Sequence, residues 1–130
     1  MRKEQRAERI LVVEDELLIG EDLSSILKTH GYEVVGIACS APQAVQMATA
    51  REPDLLLMDV CIRGDQDGIE AHRLVEDAIG KPVPVIFLTA SAKTNDATAL
   101  RSKVLKKPYQ EGELLGSIAQ FLAFMKGRPN

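Results

Sequence analysis

The sequence lacks a long apolar run, and this absence excludes two classes of protein. No apolar stretch approaches the ~18 residues that a membrane-spanning helix needs. The first ten residues, MRKEQRAERI, lack the apolar core of a secretory signal peptide. The sequence therefore predicts a cytoplasmic protein that makes no contact with a membrane.

An excess of positive charge and closely spaced cysteines are also missing. The formal net charge of -3 and the isoelectric point near 5.4 argue against nucleic acid as a direct ligand of this domain. The two cysteines, Cys39 and Cys61, do not form a CxxC pair. We expect both to be reduced packing residues.

Short apolar runs alternate with helical patterns along the 130 residues, which suffice for one domain with a real core. The runs are nearly continuous rather than alternating with polar residues, as is typical of parallel strands that are covered on both faces. The predicted strands are residues 9 to 13, 32 to 38, 53 to 59, 83 to 89 and 103 to 106.

Four helical patterns lie between or after these runs. In the first, an apolar stripe includes Leu17, Leu18, Leu23 and Leu27, and Gly31 supplies the stop. The others are residues 41 to 51, 68 to 79 and 110 to 126, whereas SAKTNDATALRS (91 to 102) is polar and a poor helix. The histidines, His30 and His72, are predicted to be surface residues.

Five such units predict an α/β fold with a doubly wound, five-stranded parallel sheet. Ligands of such sheets bind outside the carboxyl ends of the strands. The polar residues at those ends are Glu14, Asp15 and Glu16 after the first strand, Asp59 after the third, Thr89 after the fourth and Lys107 after the fifth.

The chemistry of this set favours phosphoryl transfer. Three carboxylates brought together repel one another unless a cation neutralises them. Mg²⁺, or Mn²⁺ in its place, suits a site with few carboxylates and room for water. With the hydroxyl of Thr89 and the charge of Lys107, the set predicts a phosphoryl group that is transferred to Asp59.

The motifs ILVVEDE, LLLMD, DGIEA, PVIFLTA and KKPY, in this order and spacing, resemble the receiver domain of two-component response regulators over residues 9 to 124. The resemblance implies a flavodoxin-like three-layer sandwich with strand order 2-1-3-4-5. It also implies that Asp59 accepts a phosphoryl group from a histidine kinase or histidine phosphotransferase, and that a downstream protein effector responds.

The same resemblance implies a role for each site residue. Asp15 would ligate Mg²⁺ directly, Glu14 through water and Cys61 through its backbone carbonyl, and Asp59 would also belong to the metal site. Thr89 and Lys107 would bond the phosphoryl group, and the family's cis Lys-Pro bond would aim Lys107 inward. Glu16 and Lys106 are expected to be solvated.

Three features depart from the family pattern. Arg63 stands where many receivers have proline, in a loop one residue longer than usual. Thr89 and Lys107 are 18 positions apart, fewer than usual. Val104 replaces the usual aromatic residue of the fifth strand, so we expect phosphorylation to reorder residues 90 to 103 instead. The shortened fourth helix that this spacing implies resembles that of a group of stand-alone receivers of alphaproteobacteria. The DGIEA region resembles the receiver half of general-stress anti-sigma-factor antagonists.

Three other functions compete with this interpretation. A dinucleotide-binding enzyme needs a glycine-rich turn after the first strand, where this sequence has VEDELLIG. A haloacid-dehalogenase-like phosphatase needs a second acid two residues after the nucleophile, where Cys61 stands. A receiver-like module that never accepts phosphate usually lacks one of the key residues, and all are present here.

The expected organisation is a tail at residues 1 to 8, a receiver domain at 9 to 126, and a tail or linker at 127 to 130. Both a single-domain regulator and a piece of a longer protein fit this division. The receiver itself is expected to be a phosphoryl acceptor that contributes to its own phosphorylation and dephosphorylation, rather than an enzyme for a separate substrate.

Overall fold

The computed structural model describes residues 7–60, 67–90 and 102–127. The strands in this part of the chain are β1 (Arg9–Val13), β2 (Glu33–Ala38), β3 (Leu55–Asp59), β4 (Val85–Thr89) and β5 (Ser102–Lys106). The helices in the same ranges are α1 (Leu17–Thr29), α2 (Ala41–Arg51), α3 (Gly68–Ile79) and α4 (Glu111–Lys126).

The strands form one parallel sheet in the order β2-β1-β3-β4-β5, which confirms the predicted fold and order. All five residues of β3 and all five of β4 are buried. Their near-continuous apolar sequences therefore follow from their central position, with helices on both faces.

Side chains that alternate along each strand build two cores, one on each face of the sheet. Leu56, Met58 and Phe87 pack on the face that carries the alanines and valine of α2 and α3. Leu57 and Leu88 pack on the opposite face, with the leucines, isoleucine and phenylalanine of α1 and α4. The three-layer sandwich that the resemblance implied is therefore present.

The helix ends follow from local hydrogen bonding. The side chain of Ser40 accepts a hydrogen bond from the Gln43 N–H at the start of α2. Asp67 does the same for the N–H of Glu70 at the start of α3. Gly31 follows α1 with a φ of 92°, a left-handed conformation that glycine adopts without strain, so the predicted stop is confirmed.

The strand boundaries differ slightly from the predicted ones. β2, β3 and β4 begin one or two residues later than the apolar runs suggested. Pro53 and Pro84 stand just before two of these starts, and neither has an N–H to donate to a sheet. The poor helix at residues 91 to 102 lies, except for Ser102, outside the described residues.

Two expectations were wrong. Leu17 and Leu18 are 55% and 82% exposed, because the buried face of α1 runs through Gly20, Leu23 and Leu27 instead. His72 is not a surface residue, since only 13% of its side chain is exposed. Its Nε2–H donates to the Val83 carbonyl over 2.8 Å, which anchors α3 to the segment that enters β4.

Candidate phosphoacceptor and metal site

The predicted site residues lie at one edge of the sheet. Asp59 and Thr89 are the last residues of β3 and β4, Glu14 and Asp15 follow β1, and Lys107 follows β5. Because the strands are parallel and in register, with Asp59 opposite Leu88 and Thr89 opposite Lys106, their carboxyl ends meet there. The structure therefore places these five side chains at the expected crevice.

Three carboxylates converge in this crevice. One ligand oxygen from each of Glu14, Asp15 and Asp59 lies within 4.8 Å of the other two. Glu14 and Asp59 are only 1% and 7% exposed. Such a cluster in a poorly solvated place is electrostatically unfavourable without a neutralising cation.

Glu14 shows the strain of this arrangement most clearly. Burial, with further contributions from Asp59 and Asp15, raises the pKa of Glu14 to about 7, although a hydrogen bond from the Glu16 N–H acts in the opposite direction. Its Oε1 is buried and accepts no hydrogen bond from any described residue. A divalent cation, or water bound to one, would satisfy this oxygen, so the donor set fits Mg²⁺.

Lys107 supplies the positive charge of the crevice. Its Nζ donates to Oδ2 of Asp59 over 2.9 Å. Burial alone would lower the pKa of Lys107, but the hydrogen bond to Asp59 and the charges of Asp59 and Glu14 raise it above its ordinary value. The lysine therefore stays charged beside Asp59 at neutral pH.

The backbone fixes the position of this lysine. The N–H of Lys107 donates to the Thr89 carbonyl over 2.7 Å, which joins the ends of β5 and β4. The Lys107–Pro108 peptide bond is cis, as the resemblance implied. Thr89 itself is 4% exposed, at the rim of the same crevice.

A family model for the response regulator receiver domain matches residues 10–119. This match covers most of the chain and all of the strand ends just described. The chain belongs to the response regulator receiver family.

Curated relatives of this receiver include regulators of different kinds. It is 37% identical over 116 residues to the transcriptional regulatory protein PdtaR of Mycobacterium tuberculosis, covering 85% of this chain and 54% of that protein. It is 33% identical over 125 residues to the phyllosphere-induced regulator PhyR of Methylorubrum extorquens, covering 92% and 45%. The chain thus spans about half the length of these relatives.

Solved receiver structures agree with the fold. The PhyR receiver domain of Erythrobacter litoralis superposes with a TM-score of 0.80 at 31% identity, covering 98% of both chains. The anti-anti-sigma factor PhyR of Bartonella quintana gives 0.80 at 29% identity, covering 92% of this chain and 49% of that one.

Among the described residues of this receiver, no helix is long and apolar enough to cross a membrane.

The remaining expectations for the receiver site divide into three groups. Glu16 and Lys106 are exposed, as predicted. Cys61, the proposed carbonyl ligand, and Arg63 lie outside the described residues. Cys39 is a free, half-buried thiol, as expected of a packing residue.

Sequence reasoning missed two residues beside the receiver site. Tyr109 is half-buried and packs against the α1–α4 core, and burial raises its pKa while the charge of Lys107 acts against this. Gly68, the first residue of α3, lies directly against the backbone of Asp59 and Val60. The sequence signal for Gly68 is a glycine immediately after a helix-capping aspartate, where no turn requires one.

Proposed function

We propose that this receiver accepts a phosphoryl group on Asp59 from a phosphohistidine of a histidine kinase or histidine phosphotransferase, and then signals to a protein partner. The observation that carries the proposal is the buried Asp59 carboxylate, held between two further acids and the Nζ of Lys107 at 2.9 Å. Purely structural ion pairs rarely gather an excess of buried like charge.

The reaction is a nucleophilic displacement at phosphorus. An oxygen of Asp59 attacks in line, an O–P bond forms, and the N–P bond of the phosphohistidine breaks. The leaving imidazole nitrogen keeps the bonding electron pair and takes a proton from solvent. The product is an acyl phosphate, so the domain is a phosphoryl acceptor that contributes to its own phosphorylation and dephosphorylation.

The carboxylate cluster would hold Mg²⁺, or Mn²⁺ in its place. Asp15 and Asp59 would be direct ligands, Glu14 would bind through water, and the backbone carbonyl of Cys61 would be a further ligand. When bound, the ion would neutralise charge on the transferred phosphoryl oxygens. The unsatisfied Oε1 of Glu14 supports this assignment.

Lys107 and Thr89 would hold the phosphoryl group from the other side. Before phosphorylation the Lys107 ammonium hydrogen-bonds to Asp59, and afterwards it would bind a phosphoryl oxygen without a large movement. The Thr89 hydroxyl would donate to another of these oxygens. The backbone hydrogen bond between the two residues supports a shared role, because it keeps their spacing fixed.

The output is proposed to be a protein contact rather than binding of nucleic acid or membrane by this domain. Val104, where many receivers carry an aromatic residue, is half-buried and packs against the core that contains Phe87. A branched side chain of this size cannot swing as an aromatic ring does. Our prediction that residues 90 to 103 respond instead falls almost entirely outside the described residues.

The direct test is phosphorylation by acetyl phosphate, followed by intact mass and peptide mapping. We expect one phosphoryl group on Asp59, only with Mg²⁺ or Mn²⁺ present, and none on the Asp59→Asn variant. The matched control is Asp54→Asn, because Asp54 lies at the other end of β3. Modification of another residue, or labelling that a chelator does not reduce, would contradict the proposal.

A further inference from the structure

The start of α3 packs unusually closely on the end of β3. The N–H of Gly68 donates to the Val60 carbonyl over 2.6 Å, and the N–H of Val60 donates to the Leu88 carbonyl of β4 over 3.0 Å. Gly68 is buried. A continuous path of backbone contacts therefore runs from the first turn of α3, through Val60, to β4.

This contact leaves no room for a side chain at position 68. A Cβ atom there would overlap the carbonyl oxygen of Asp59 and would stand 2.9 Å from the Cα of Val60. Both atoms belong to the backbone of a buried strand end, so neither can turn away as a side chain could. Any larger residue must displace either α3 or the Asp59–Val60 peptide.

Among the other glycines that the structure describes, an added Cβ would meet no backbone atom within 3.4 Å, although at Gly20 it would stand 2.8 Å from a side-chain carbon of Ile37. At Gly36 the nearest atoms to an added Cβ are the side-chain ends of Arg51 and Met47, each 3.0 Å away. At Gly112 and Gly116, in α4, nothing lies within 4 Å. Gly36 and Gly116 are therefore controls for a crowded and an uncrowded glycine away from the crevice.

We propose that Gly68 is a positioning residue for Asp59, an inference that rests on the function proposed above. Its missing side chain allows α3 to support the Asp59–Val60 peptide directly. This contact sets where the Asp59 carboxylate stands relative to Lys107 and the other two acids. A displacement of about 1 Å at a reacting group is enough to slow a reaction by about 10²-fold.

The test compares Gly68→Ala with Gly36→Ala and Gly116→Ala in phosphorylation by acetyl phosphate. We expect Gly68→Ala to lower the maximal rate at saturating Mg²⁺ by about tenfold or more, because misplacement acts on the reacting group. The Mg²⁺ concentration for half-maximal rate should rise as well, because the displaced Asp59 is itself a proposed ligand of the ion. The controls should keep the wild-type maximal rate even where Gly36→Ala lowers stability.

A merely structural role would give a different pattern. It would lower the maximal rate of Gly68→Ala no more than that of Gly36→Ala at matched stability, and it would leave the Mg²⁺ dependence of the two variants alike. That result would overturn the proposal. Urea unfolding of each variant supplies the stability on which this comparison depends.

A second variant covers the case in which Gly68→Ala does not fold. Asp67→Ala removes the cap on the Glu70 N–H, at 2.9 Å, and so loosens the first turn of α3 without adding an atom. Since Asp67 is exposed, we expect a folded protein with a maximal rate lower by about two- to fivefold and Mg²⁺ dependence retained. An unchanged rate in this variant would overturn the positioning role.

Amide hydrogen exchange separates this inference from the proposed function. If the wild-type protein takes up no phosphate, the proposed function fails, and protection of the Val60 N–H still decides whether Gly68 supports this peptide. Loss of that protection in Gly68→Ala, but not in Gly36→Ala, would support the contact. Unchanged protection would overturn it.

Discussion

Both ends of the sheet carry charged groups, but they arrange them differently. At the amino end, Arg9 pairs with Glu33 at 3.7 Å, and its N–H donates to Asp54 over 2.8 Å. Lys126 pairs with Glu8 at the same end. Each of these acids faces a cation or a backbone donor, so each carboxylate there has a partner that stabilises its charge.

The carboxyl end is different. Three acids converge there, two of them almost fully buried, and in the described part of the chain the Nζ of Lys107 bonds to one of them, Asp59. Burial and like charge raise the pKa of Glu14 to about 7. Charge at the amino end therefore stabilises the fold, whereas charge at the carboxyl end is held at a cost that a bound cation would offset.

The largest expected difference between the ends concerns their lysines. Lys107→Ala should slow phosphorylation by acetyl phosphate by about 10²-fold, because the charge that neutralises the phosphoryl oxygens is lost. Lys126→Ala should leave the rate unchanged, since that lysine pairs with Glu8 at the other end. Rapid mixing with acetyl phosphate, quenching at set times and mass spectrometry of the intact protein measure both rates.

The neighbouring lysine tests whether the register of the fifth strand is assigned correctly. Lys106 is exposed and precedes Lys107 directly, so Lys106→Ala should behave like the wild-type protein. A slow Lys106→Ala variant beside a normal Lys107→Ala variant would contradict the assignment of the crevice lysine. Mg²⁺ binding should be nearly intact in both.

The next largest expected effect is on stability: removing an acid at the carboxyl end should stabilise the protein, whereas removing one at the amino end should destabilise it. Without metal at pH 8, Glu14→Gln should raise the free energy of unfolding by about 1–3 kcal/mol, because it removes a buried charge that has a raised pKa. Asp54→Asn should lower it by about 1 kcal/mol, because the Arg9 N–H loses a charged acceptor. Urea denaturation of the two variants and the wild-type protein gives both values, and changes of the same sign would remove the distinction between the ends.

The pH dependence of stability tests the same difference between the two ends of the sheet. Between the ordinary pKa of 4.5 and about 7, Glu14 is protonated in the folded protein and ionised in the unfolded one. The stability that this proton contributes is therefore fully present below pH 4.5 and is lost as the pH rises through 7. We expect the metal-free protein to lose about 1–2 kcal/mol from this group between pH 5 and pH 8.

Magnesium should reverse this trend. Because the ion competes with the proton on Glu14, its stabilising effect should grow as the pH rises through 7. Denaturation at several pH values, with and without Mg²⁺, measures both trends. In Glu14→Gln the component centred near pH 7 should disappear, and its persistence would assign the titration to another group.

The smallest expected effect belongs to the exposed pair at the amino end. Glu33→Gln should change the free energy of unfolding by less than about 0.5 kcal/mol, because its partner Arg9 remains solvated and salt screens the pair. A thermal melt at low and high salt measures this. A larger loss would show that the Arg9–Glu33 pair contributes more to the free energy of unfolding than exposed pairs normally do.

The sequence predicted the sheet and the crevice residues for a simple physical reason. Continuous apolar runs identify buried parallel strands, and an acid such as Asp59 directly after such a run must stand at a strand end. Since all parallel strands end at one edge, Glu14, Thr89 and Lys107 follow without knowledge of the tertiary structure.

The features that were missed depend on contacts between distant segments. His72 is held by the Val83 carbonyl, a partner that helical periodicity cannot reveal. Leu17 and Leu18 fit an apolar stripe, yet both face solvent, because α1 packs on the sheet through Gly20, which lies close to Ile37, and through Leu23 and Leu27. The role of Gly68 depends on backbone proximity, which leaves no trace in composition.

The hydrogen bond from Lys107 to the Thr89 carbonyl has a consequence for how this chain could vary. The spacing of these residues is set by the ladder between β4 and β5, and not by the 18 positions of sequence that separate them. Any change of length that preserves this ladder therefore preserves the separation of the two residues. The separation of Thr89 and Lys107 is in this sense a property of the sheet rather than of the segment that connects them.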